Sequence, residues 1–247
     1  MSKEIRVSEH FYSLQGEGPT TGMPSIFLRL QACNLMCGGR GTEKDKKLHN
    51  GATWRCDTIE CWRQGEAWKV RDLAKHFQTV YSTQLAQGAQ LVVTGGEPLL
   101  QQNAIPDLLD SIQPHRTEVE TNGTITPNME VRSRVNCFNV SPKLANSGMR
   151  KARRVRPIPL QTFALLQQYG GAIFKFVLTS EYDFEEMMRD YIDPFNIARE
   201  TTWLMPGCSN QQQYANVAPL VAELCKKHGF MFSGRLQINI WDEVTGV

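Results

Sequence analysis

The sequence predicts an α/β protein built as an open, partial parallel β/α barrel of about six strands. Short apolar runs alternate with amphipathic stretches along the chain, and this alternation is typical of repeated strand–helix units. The length of 247 residues suits one such barrel. Since no internal repeat or low-complexity linker divides the sequence, we expect a single domain over residues 1–247.

The predicted strands are short apolar runs that end in residues typical of turns. They cover 25–31, 89–94, 117–121, 137–141, 173–179, 202–205 and 230–238. A helix is predicted over 70–85, where Leu73, Phe77 and Val80 share one face. Further helices are expected after Pro98, because proline suits a first helical turn, and over 209–228.

Polar residues directly follow four of the predicted strands. These segments are 95–97 (GGE), 120–122 (ETN), 141–143 (SPK) and 205–206 (MP). Active sites of such barrels form at the carboxyl ends of the strands, so the four segments are predicted to meet on one rim. An ordinary turn would explain any single segment equally well, because Gly, Pro and Asn also mark turns.

Composition excludes several classes of protein. A formal net charge of +2 and a pI of about 8.1 are too weak a bias to indicate a nucleic-acid partner. No apolar run is long enough for a membrane span, so no membrane partner is expected. Residues 1–9 are charged and lack the apolar centre of a signal peptide. We therefore expect a cytoplasmic protein.

Four of the seven cysteines fall within one short stretch, which favours metal or cluster ligation over core packing. They are Cys33, Cys37, Cys56 and Cys61. Three thiolates on an iron–sulfur cubane would leave one iron free to bind a substrate or cofactor. By spacing alone, a zinc site made of all four cysteines fits at least as well, and buried free thiols are a third possibility. Disulfides are not expected in a reducing compartment.

Longer motifs around the cysteines resemble the 7-carboxy-7-deazaguanine synthases, a family of radical S-adenosylmethionine (radical SAM) enzymes. The resemblance starts with FYSLQGEGP at 11–19 and GMPSIFLRLQACNLMC at 22–37. It continues, in the family's order, through CDT at 56–58, VTGGEPL at 93–99, ETNGT at 120–124, SPK at 141–143 and LMPG at 204–207. The GGEP motif marks only the radical SAM superfamily, whereas LQGEG and CDT narrow the resemblance to this family and its close relatives.

One region departs from the family pattern. Family members commonly have two residues between the second and third cysteines, but here residues 38–55 separate Cys37 from Cys56, so sixteen residues are extra. The resemblance still identifies Cys56 as the third ligand, because Asp57 and Thr58 follow it as in the family. Cys61 lies beyond this landmark and is not expected to be a ligand.

The resemblance implies a reaction and a set of cofactors. The reaction is the radical-mediated ring contraction of 6-carboxy-5,6,7,8-tetrahydropterin to 7-carboxy-7-deazaguanine, with release of ammonia, on the route to queuosine and other 7-deazapurines. The implied cofactors are a 4Fe-4S cluster on Cys33, Cys37 and Cys56, S-adenosyl-L-methionine, and Mg²⁺ at Thr58. Asp57 could help to bind the Mg²⁺, and it could equally cap the next helix. The implied partners are the pterin substrate, an electron donor such as a flavodoxin, and a second subunit in a homodimer.

The resemblance also assigns roles at the predicted rim. S-adenosyl-L-methionine binding is implied for Gly96, Glu120, Ser141, Pro142 and Lys143, and substrate binding for Leu14, Gln15, Gly16, Arg29 and Thr94. At Gly96 the missing side chain would let the backbone approach the methionine portion closely. The Arg29 guanidinium can hold the substrate carboxylate through two bonds. Its alternative role is that of a surface arginine on an edge strand.

Two other functions fit parts of the pattern. A glycyl-radical activating enzyme would share the cysteines and GGEP, but has no reason to keep LQGE at 14–17 or CDT at 56–58. A zinc-stabilised binding module would share only the cysteines. Anaerobic reconstitution separates the last possibility, because an iron–sulfur protein turns brown and a zinc protein stays colourless.

Overall fold

A nine-stranded sheet forms the framework of residues 3–244, the part of the chain that the computed structural model describes. Its strands are β1 (Glu4–Leu14), β2 (Pro24–Leu30), β3 (Glu66–Lys69), β4 (Gln90–Gly95), β5 (Thr117–Thr121), β6 (Cys137–Val140), β7 (Ala172–Leu178), β8 (Thr202–Pro206) and β9 (Met231–Phe232). Residues 1–2 and 245–247 of the predicted domain lie outside the described range. The first two residues of segment 1–9, which lacks the features of a signal peptide, are among them.

Across the sheet the strands follow the order β3-β1-β2-β4-β5-β6-β7-β8-β9. Every neighbouring pair from β2 to β9 is parallel, whereas β1 pairs antiparallel with both β2 and β3. Within the described residues the outermost strands, β3 and β9, pair on one side only. The sheet is therefore open, and the predicted open parallel β/α architecture is confirmed.

Twelve helices are found in residues 3–244. They are α1 (Thr42–Asp45), α2 (Ile59–Trp62), α3 (Val70–Val80), α4 (Ser82–Ala86), α5 (Ile105–Ile112), α6 (Met129–Arg132), α7 (Lys151–Arg154), α8 (Pro157–Gln168), α9 (Glu181–Met187), α10 (Asp193–Phe195), α11 (Gln211–His228) and α12 (Leu236–Trp241). Short 3-10 turns occur at Gly18–Thr20, Pro98–Gln101, Ala145–Ser147 and Arg199–Thr201, and a π-helical turn at Met188–Ile192. Of these helices, none combines the length and the apolarity that crossing a membrane requires.

The two faces of the parallel sheet differ in polarity because side chains alternate along each strand. One face carries the fully buried Val119, Phe138 and Phe174, which belong to the hydrophobic core together with apolar residues of the covering helices. The intervening residues Glu120, Asn139 and Lys175 point to the other side, where they line a cavity. The strands therefore bring polar side chains into the interior of the open barrel.

Two predictions about individual elements are wrong, and two strands were not predicted. The segment 230–238 is not one strand: only Met231–Phe232 pairs with β8, and the chain then turns so that the Leu236 amide bonds the Gly16 carbonyl at 2.9 Å. The sequence analysis missed β1 and β3, because β1 buries only Ile5 and Val7 fully and is otherwise polar or half exposed. The helix predicted over 70–85 is divided at Tyr81 into α3 and α4.

Candidate active site

A cavity of about 880 Å³ lies at the carboxyl ends of the parallel strands. All four polar segments predicted to share one rim contribute residues to it. It is lined by thirteen of the fourteen predicted site residues: Leu14, Gln15, Gly16, Arg29, Cys33, Cys37, Cys56, Thr58, Thr94, Gly96, Glu120, Ser141 and Lys143. Only Pro142, which is buried behind its neighbours, does not reach the cavity surface. Residues far apart in the sequence thus converge on one site.

The cysteine loop folds so that its long insertion returns to its starting point. The Cys56 amide donates to the Cys37 carbonyl at 3.2 Å, although eighteen residues separate the two positions. The His49 amide closes a smaller loop by bonding the Gly38 carbonyl at 2.8 Å. Compact surface loops with neighbouring ends can grow without moving the residues that flank them. This closure keeps the second and third cysteines adjacent despite the sixteen extra residues.

The insertion is fastened to the turn Ala145–Ser147, which follows β6. The Gly38 amide bonds the Ser147 carbonyl at 2.9 Å, and the Trp54 indole donates to Asn146 Oδ1 at 2.9 Å. As a result Trp54 forms part of the cavity wall, with its ring centre 5.9 Å from Lys143 Nζ. Sequence reasoning gave no role to Trp54, because its position depends on where the insertion docks.

The thiols of Cys33, Cys37 and Cys56 all line the cavity, and each of Cys33 and Cys37 is influenced by Cys56. In residues 3–244 no three His, Cys, Asp or Glu side chains gather tightly enough to ligate one metal ion. A zinc site needs its thiolates around a single ion, whereas the thiolates of a cubane each bind a different iron.

Burial raises the pKa of both Cys33 and Cys37 to about 12, although the nearby Lys143 opposes the shift. In the protein alone these thiols are therefore protonated, and iron binding must displace their protons. Cys61 has different surroundings. Burial also raises the pKa of Cys61, but its first charged neighbours are Glu9 and Arg29. Cys61 also lines the cavity.

The two glycines at the end of β4, Gly95 and Gly96, allow the strand to approach the cysteine loop. A Cβ atom on Gly96 would collide with the Ala32 carbonyl and with Cys33 Cβ, and one on Gly95 would collide with the Leu30 carbonyl. The Glu97 amide then bonds the Ala32 carbonyl at 2.9 Å. Position 96 therefore requires glycine for the packing of β4 against the cysteine loop. The close approach of a cofactor, which the sequence analysis expected there, would be a second reason.

Glu97 fastens the ends of β4 and β5 together. It is fully buried and accepts hydrogen bonds from the Leu99 amide, the Thr121 hydroxyl and the Asn122 amide, at 2.7–3.0 Å. Burial raises the pKa of Glu97 to about 7 despite these donors. The Asn122 side chain in turn donates to Asn34 in the cysteine loop at 2.9 Å. This chain of bonds holds the loop against the sheet.

Arg29 faces the cavity from β2 and is paired with a carboxylate. Its Nε donates to Glu9 Oε1 at 2.6 Å, because the antiparallel register of β1 and β2 places Glu9 opposite Arg29. The Arg29 side chain is only 14% exposed, and β2 lies between β1 and β4. The alternative role as a surface arginine on an edge strand is therefore wrong. The two terminal nitrogens of Arg29 make no protein hydrogen bond within residues 3–244.

A second network joins Gln15, Thr94 and Glu120. Gln15 is almost fully buried, and its side chain donates to Glu120 Oε1 at 3.3 Å. The Thr94 hydroxyl donates to Glu120 Oε2 at 2.9 Å. Glu120, which the sequence assigned to the cofactor, is thus held by two residues assigned to the substrate. On the cofactor side, Lys143 Nζ donates to the Ser141 hydroxyl at 3.1 Å.

Sequence reasoning missed a buried ion network at the same rim. Glu17 accepts from Lys175 Nζ at 2.6 Å, from Arg235 Nε at 3.1 Å and from Gln237 Nε2 at 2.8 Å. Burial alone would raise the pKa of Glu17, but Lys175 and Arg235 overcome this effect and hold it well below the usual range. The sequence feature that could have predicted this network is the lysine within the apolar strand β7, because a buried lysine requires a partner.

Asn139 is a further residue that the sequence analysis missed. It is 1% exposed and lines the cavity, yet neither its amide oxygen nor its amide nitrogen has a partner within residues 3–244. Leaving a buried amide without partners costs free energy. The sequence feature that could have identified Asn139 is a single amide side chain inside the otherwise apolar run of β6. Such a group facing a cavity is free to bond a water molecule or a bound ligand.

Thr58 lies beside the third cysteine, with its hydroxyl 3.4 Å from Cys56 Sγ. It occupies the residue before α2 and does not cap the helix with its side chain. Asp57 is largely exposed, with its carboxylate 3.8 Å from Arg235. Because Thr58 and not Asp57 stands at the start of α2, the capping role considered for Asp57 is wrong.

Known proteins resemble the chain over almost its whole length. It is 29% identical to the 7-carboxy-7-deazaguanine synthase of Pyrobaculum aerophilum, over 98% of this chain and 97% of that protein. It is 31% identical to the 7-carboxy-7-deazaguanine synthase of Halobacterium salinarum, over 97% of this chain and 91% of that protein. Among solved structures, QueE from Escherichia coli has the same fold, with a TM-score of 0.60, 22% identity and 94% coverage of both chains. No family model matches the chain.

Proposed function

The chain belongs to the 7-carboxy-7-deazaguanine synthase family, and from this premise we propose how its own residues serve the reaction. It is a radical SAM lyase that contracts the ring of 6-carboxy-5,6,7,8-tetrahydropterin to 7-carboxy-7-deazaguanine and ammonia, in 7-deazapurine biosynthesis. The observation that carries our assignment of roles is the convergence of the three cysteines and the substrate segment on one cavity.

Enzymes of this family use S-adenosyl-L-methionine and a 4Fe-4S cluster. Cys33, Cys37 and Cys56 would hold the cluster, and Ser141 and Lys143 would bind the S-adenosyl-L-methionine beside it. When bound, these groups supply the one-electron chemistry that removes a hydrogen atom from the pterin. Gly96 keeps the end of β4 against the cysteine loop, and the buried Pro142 fixes the backbone between Ser141 and Lys143.

Arg29 is proposed to bind the carboxylate of the substrate. Its Nε is committed to Glu9, so the two terminal nitrogens are the donors that remain for a ligand. A guanidinium oriented by a protein carboxylate can offer two parallel bonds to a second one. The pterin carboxylate is a group of this kind, and fixing it would hold the reacting carbon within reach of the cofactor.

The polar edge of the pterin is proposed to bind the network of Gln15, Thr94 and Glu120, together with Asn139. A pterin ring presents adjacent donors and acceptors, which matches a carboxylate flanked by amides. The unpartnered amide of Asn139 supports this role, because a bound ring would complete its hydrogen bonds. Leu14 and Gly16 line the same part of the cavity and would bound the ring on one side.

We further propose a Mg²⁺ ion at Thr58. Magnesium prefers oxygen ligands and keeps several waters, so one hydroxyl together with the substrate can suffice. Thr58 supplies such an oxygen at the cavity wall, next to the cluster ligand Cys56. Asp57 remains near enough to help through a water molecule.

Other proposals rest on the family resemblance. We propose that a flavodoxin or similar protein donates the electron that reduces the cluster before turnover, and that the enzyme acts as a homodimer in the cytoplasm. The chain 1–247 is proposed to form one radical SAM domain, in which residues 38–55 are an insertion.

An anaerobic assay tests the proposed function. The full chain, reconstituted with iron and sulfide, should turn brown and convert the carboxytetrahydropterin to a product with the mass of 7-carboxy-7-deazaguanine when dithionite and S-adenosyl-L-methionine are present. A colourless protein that retains zinc, or a brown protein that makes no such product, would contradict it. The variant Cys56→Ala serves as the control for background chemistry.

A further inference from the structure

Three buried polar residues lie behind the segment 141–143 and have no part in the roles proposed above. They are Tyr191 in the π-helical turn, Arg154 at the end of α7 and Glu186 in α9, which are 0%, 4% and 8% exposed. None of the three lines the cavity formed within residues 3–244. Buried groups of this kind are retained with hydrogen-bond partners, so the partners show what the three residues hold in place.

The backbone carbonyl of Lys143 is the first of these partners. The Tyr191 hydroxyl donates to it at 2.6 Å. Arg154 Nη1 donates to the Tyr191 oxygen at 3.2 Å and reaches the same Lys143 carbonyl at 3.5 Å. Burial raises the pKa of Tyr191, so the phenol stays protonated and remains a donor at neutral pH. The Lys143 carbonyl is therefore held by a tyrosine that an arginine holds in turn.

Glu186 extends this network to the residues that follow Lys143. Arg154 Nη2 pairs with Glu186 Oε1 at 2.5 Å, and Glu186 accepts from the Ala145 amide at 3.0 Å. Arg154 Nε also donates to the Met149 carbonyl at 3.2 Å. The network thus bonds the backbone at three positions, one of them in the turn Ala145–Ser147 to which the insertion is fastened.

The hydroxyl of Tyr191 has a rigid support. Its ring packs edge-on against Phe176 of β7, with 5.4 Å between the ring centres. It belongs to the π-helical turn Met188–Ile192, and turns of this rare kind are frequent at functional sites. Tyr191 therefore links the position of the Lys143 backbone to the sheet itself.

The side chain of Lys143 gains a defined starting point from these bonds. Lysine has a flexible four-carbon stem, and immobilising such a side chain on a ligand opposes binding. A carbonyl that is bonded from behind cannot rotate freely about the Lys143 Cα atom, so fewer side-chain positions remain. At its other end, Nζ lies 3.1 Å from the Ser141 hydroxyl and 5.9 Å from the centre of the Trp54 ring.

We propose that Tyr191 and Arg154 are positioning residues for S-adenosyl-L-methionine. By holding the Lys143 carbonyl they set the direction in which the Lys143 side chain leaves the backbone toward the cofactor. Neither residue reaches the cavity, so both act through Lys143. The proposal rests on the cofactor role proposed for Lys143 above.

The chain offers a matched pair of tyrosines for a test. Tyr81, at the end of α3, is 6% exposed, and its hydroxyl lies 2.8 Å from His10 Nδ1, away from the cavity. Tyr191→Phe and Tyr81→Phe each keep a buried ring and remove one bonded hydroxyl. Any general cost of such a loss is therefore common to both variants.

Anaerobic equilibrium dialysis of the reconstituted full chain measures the expected difference. In Tyr191→Phe the Kd for S-adenosyl-L-methionine should rise about three- to tenfold, the effect of having to immobilise one flexible side chain on binding. Tyr81→Phe should bind it like the wild type. Iron content, and the Kd for the pterin at saturating S-adenosyl-L-methionine, should be unchanged in both variants.

Arg154→Lys gives a second variant. It keeps a positive charge for Glu186, but its ammonium lacks the planar fork that reaches Tyr191, Glu186 and Met149 together. Its Kd for S-adenosyl-L-methionine should rise in the same direction as in Tyr191→Phe.

Hydrogen exchange of the apoprotein supplies a readout that needs neither the cluster nor turnover. Amides of residues 141–147 should exchange faster in Tyr191→Phe than in the wild type, and at the wild-type rate in Tyr81→Phe. A double-mutant cycle then tests whether Tyr191 acts through Lys143. Tyr191→Phe should have no further effect on the Kd for S-adenosyl-L-methionine when Lys143 is already replaced in Lys143→Ala.

Two results would overturn the positioning role while leaving the proposed function intact. One is a weaker cofactor affinity in Lys143→Ala with wild-type affinity in both Tyr191→Phe and Arg154→Lys. The other is an equal loss of affinity in Tyr191→Phe and Tyr81→Phe, or in Tyr191→Phe with and without Lys143→Ala. Wild-type affinity in Lys143→Ala itself would instead contradict the cofactor role of Lys143, and the positioning role would fall with it.

Discussion

The two sides of the cavity are built in different ways. On the cluster side, Cys37 and Cys56 are joined by a long exposed loop whose ends meet through one backbone hydrogen bond. On the substrate side, Glu17, Lys175 and Arg235 form a network whose side chains are all at most 16% exposed. The first side depends on where a loop closes, and the second depends on the register of the strands and the segments packed against them.

This difference determines which changes each side can tolerate. A loop that closes on itself can gain residues at its exposed tip, because closure costs only slowly increasing entropy. A strand has no such freedom, since a shift of one residue turns every side chain to the opposite face. The insertion at 38–55 thus lies where the fold accepts extra residues. The predictions below test the comparison, from the largest expected effect to the smallest.

The largest effect is expected at the cysteines proposed to bind the cluster. Cys56→Ala should lose most cluster iron and all turnover, because a thiolate ligand to iron is removed. Cys61→Ala should keep both, since Cys61 follows the CDT segment that the family resemblance places at the last ligand, and its first charged neighbours are Glu9 and Arg29. Iron content and the visible absorbance of the reconstituted variants measure the difference. Equal iron loss in the two variants would show that the third ligand is assigned incorrectly.

On the substrate side, Glu17→Gln should lower the free energy of unfolding by about 3–5 kcal/mol, because it leaves Lys175 and Arg235 buried without their carboxylate. The matched exposed pair, Lys226 with Glu223, should contribute about 0–1 kcal/mol, so Glu223→Gln is the control. Urea unfolding of the apoprotein gives both values. Similar values for the two variants would mean that the Glu17 network adds no more than a surface ion pair.

The Glu17 network also makes a prediction about pH. The pKa of Glu17 is lower in the folded than in the unfolded protein. The contribution of Glu17 to the free energy of unfolding should therefore be complete when the pH lies above the pKa of glutamate in the unfolded chain, about 4.3. It should be lost progressively as the pH falls below that pKa. The difference in unfolding free energy between wild type and Glu17→Gln should shrink on acidification and stay constant between neutral and mildly alkaline pH.

A smaller effect is expected for Arg29, the proposed partner of the substrate carboxylate. Arg29→Lys removes the planar fork but keeps the positive charge. Losing one charge-assisted contact costs about 1.5–3 kcal/mol, or about tenfold to a hundredfold in pterin affinity. Affinity for S-adenosyl-L-methionine and cluster content should stay near wild type. Equilibrium binding of both ligands to the reconstituted variant decides it, and unchanged pterin affinity would mean that the carboxylate is held elsewhere.

Thr58→Val should have a modest effect that concerns only magnesium. Valine keeps the shape of threonine but removes the oxygen that Mg²⁺ requires. The expected result is slower turnover and a weaker response to added Mg²⁺, with the iron content unchanged. A Mg²⁺ titration of both proteins at fixed substrate measures this response. Superimposable titration curves would exclude Thr58 as a ligand.

The same contrast explains what the sequence could predict. Parallel strands such as β5, found at Thr117–Thr121 as expected, are recognisable because their apolar runs are buried on the core face. The motifs were equally informative for the rim, where thirteen of the fourteen expected residues line one cavity. β1 escaped prediction because antiparallel pairing leaves much of it polar and half exposed.

Tertiary partners were the part that the sequence could not provide. Lys175 and Arg235 are 60 residues apart and meet only through Glu17. Arg235 lay in a segment expected to be a strand, whereas the chain leaves the sheet after β9 and bonds Gly16. The closure of the insertion likewise depends on bonds to Asn146 and Ser147, which no local pattern in residues 38–55 contains.

The smallest effect is expected from deleting the insertion. Removing residues 39–54 leaves Cys37-Gly38-Arg55-Cys56, the spacing common in the family. In the structure the Cys56 amide already bonds the Cys37 carbonyl, and in the shortened chain this becomes the hydrogen bond of a four-residue β-turn. Gly38, whose φ is +108°, suits such a turn.

The deletion variant should therefore keep most of its cluster iron and its turnover with dithionite. The loss of the Trp54 wall would raise the apparent KM for substrates only modestly, because the strand-borne contacts remain. Loss of the iron would show that the bonds of the insertion to Asn146 and Ser147 position the third cysteine. The cluster side would then depend on fixed tertiary contacts as strictly as the substrate side does.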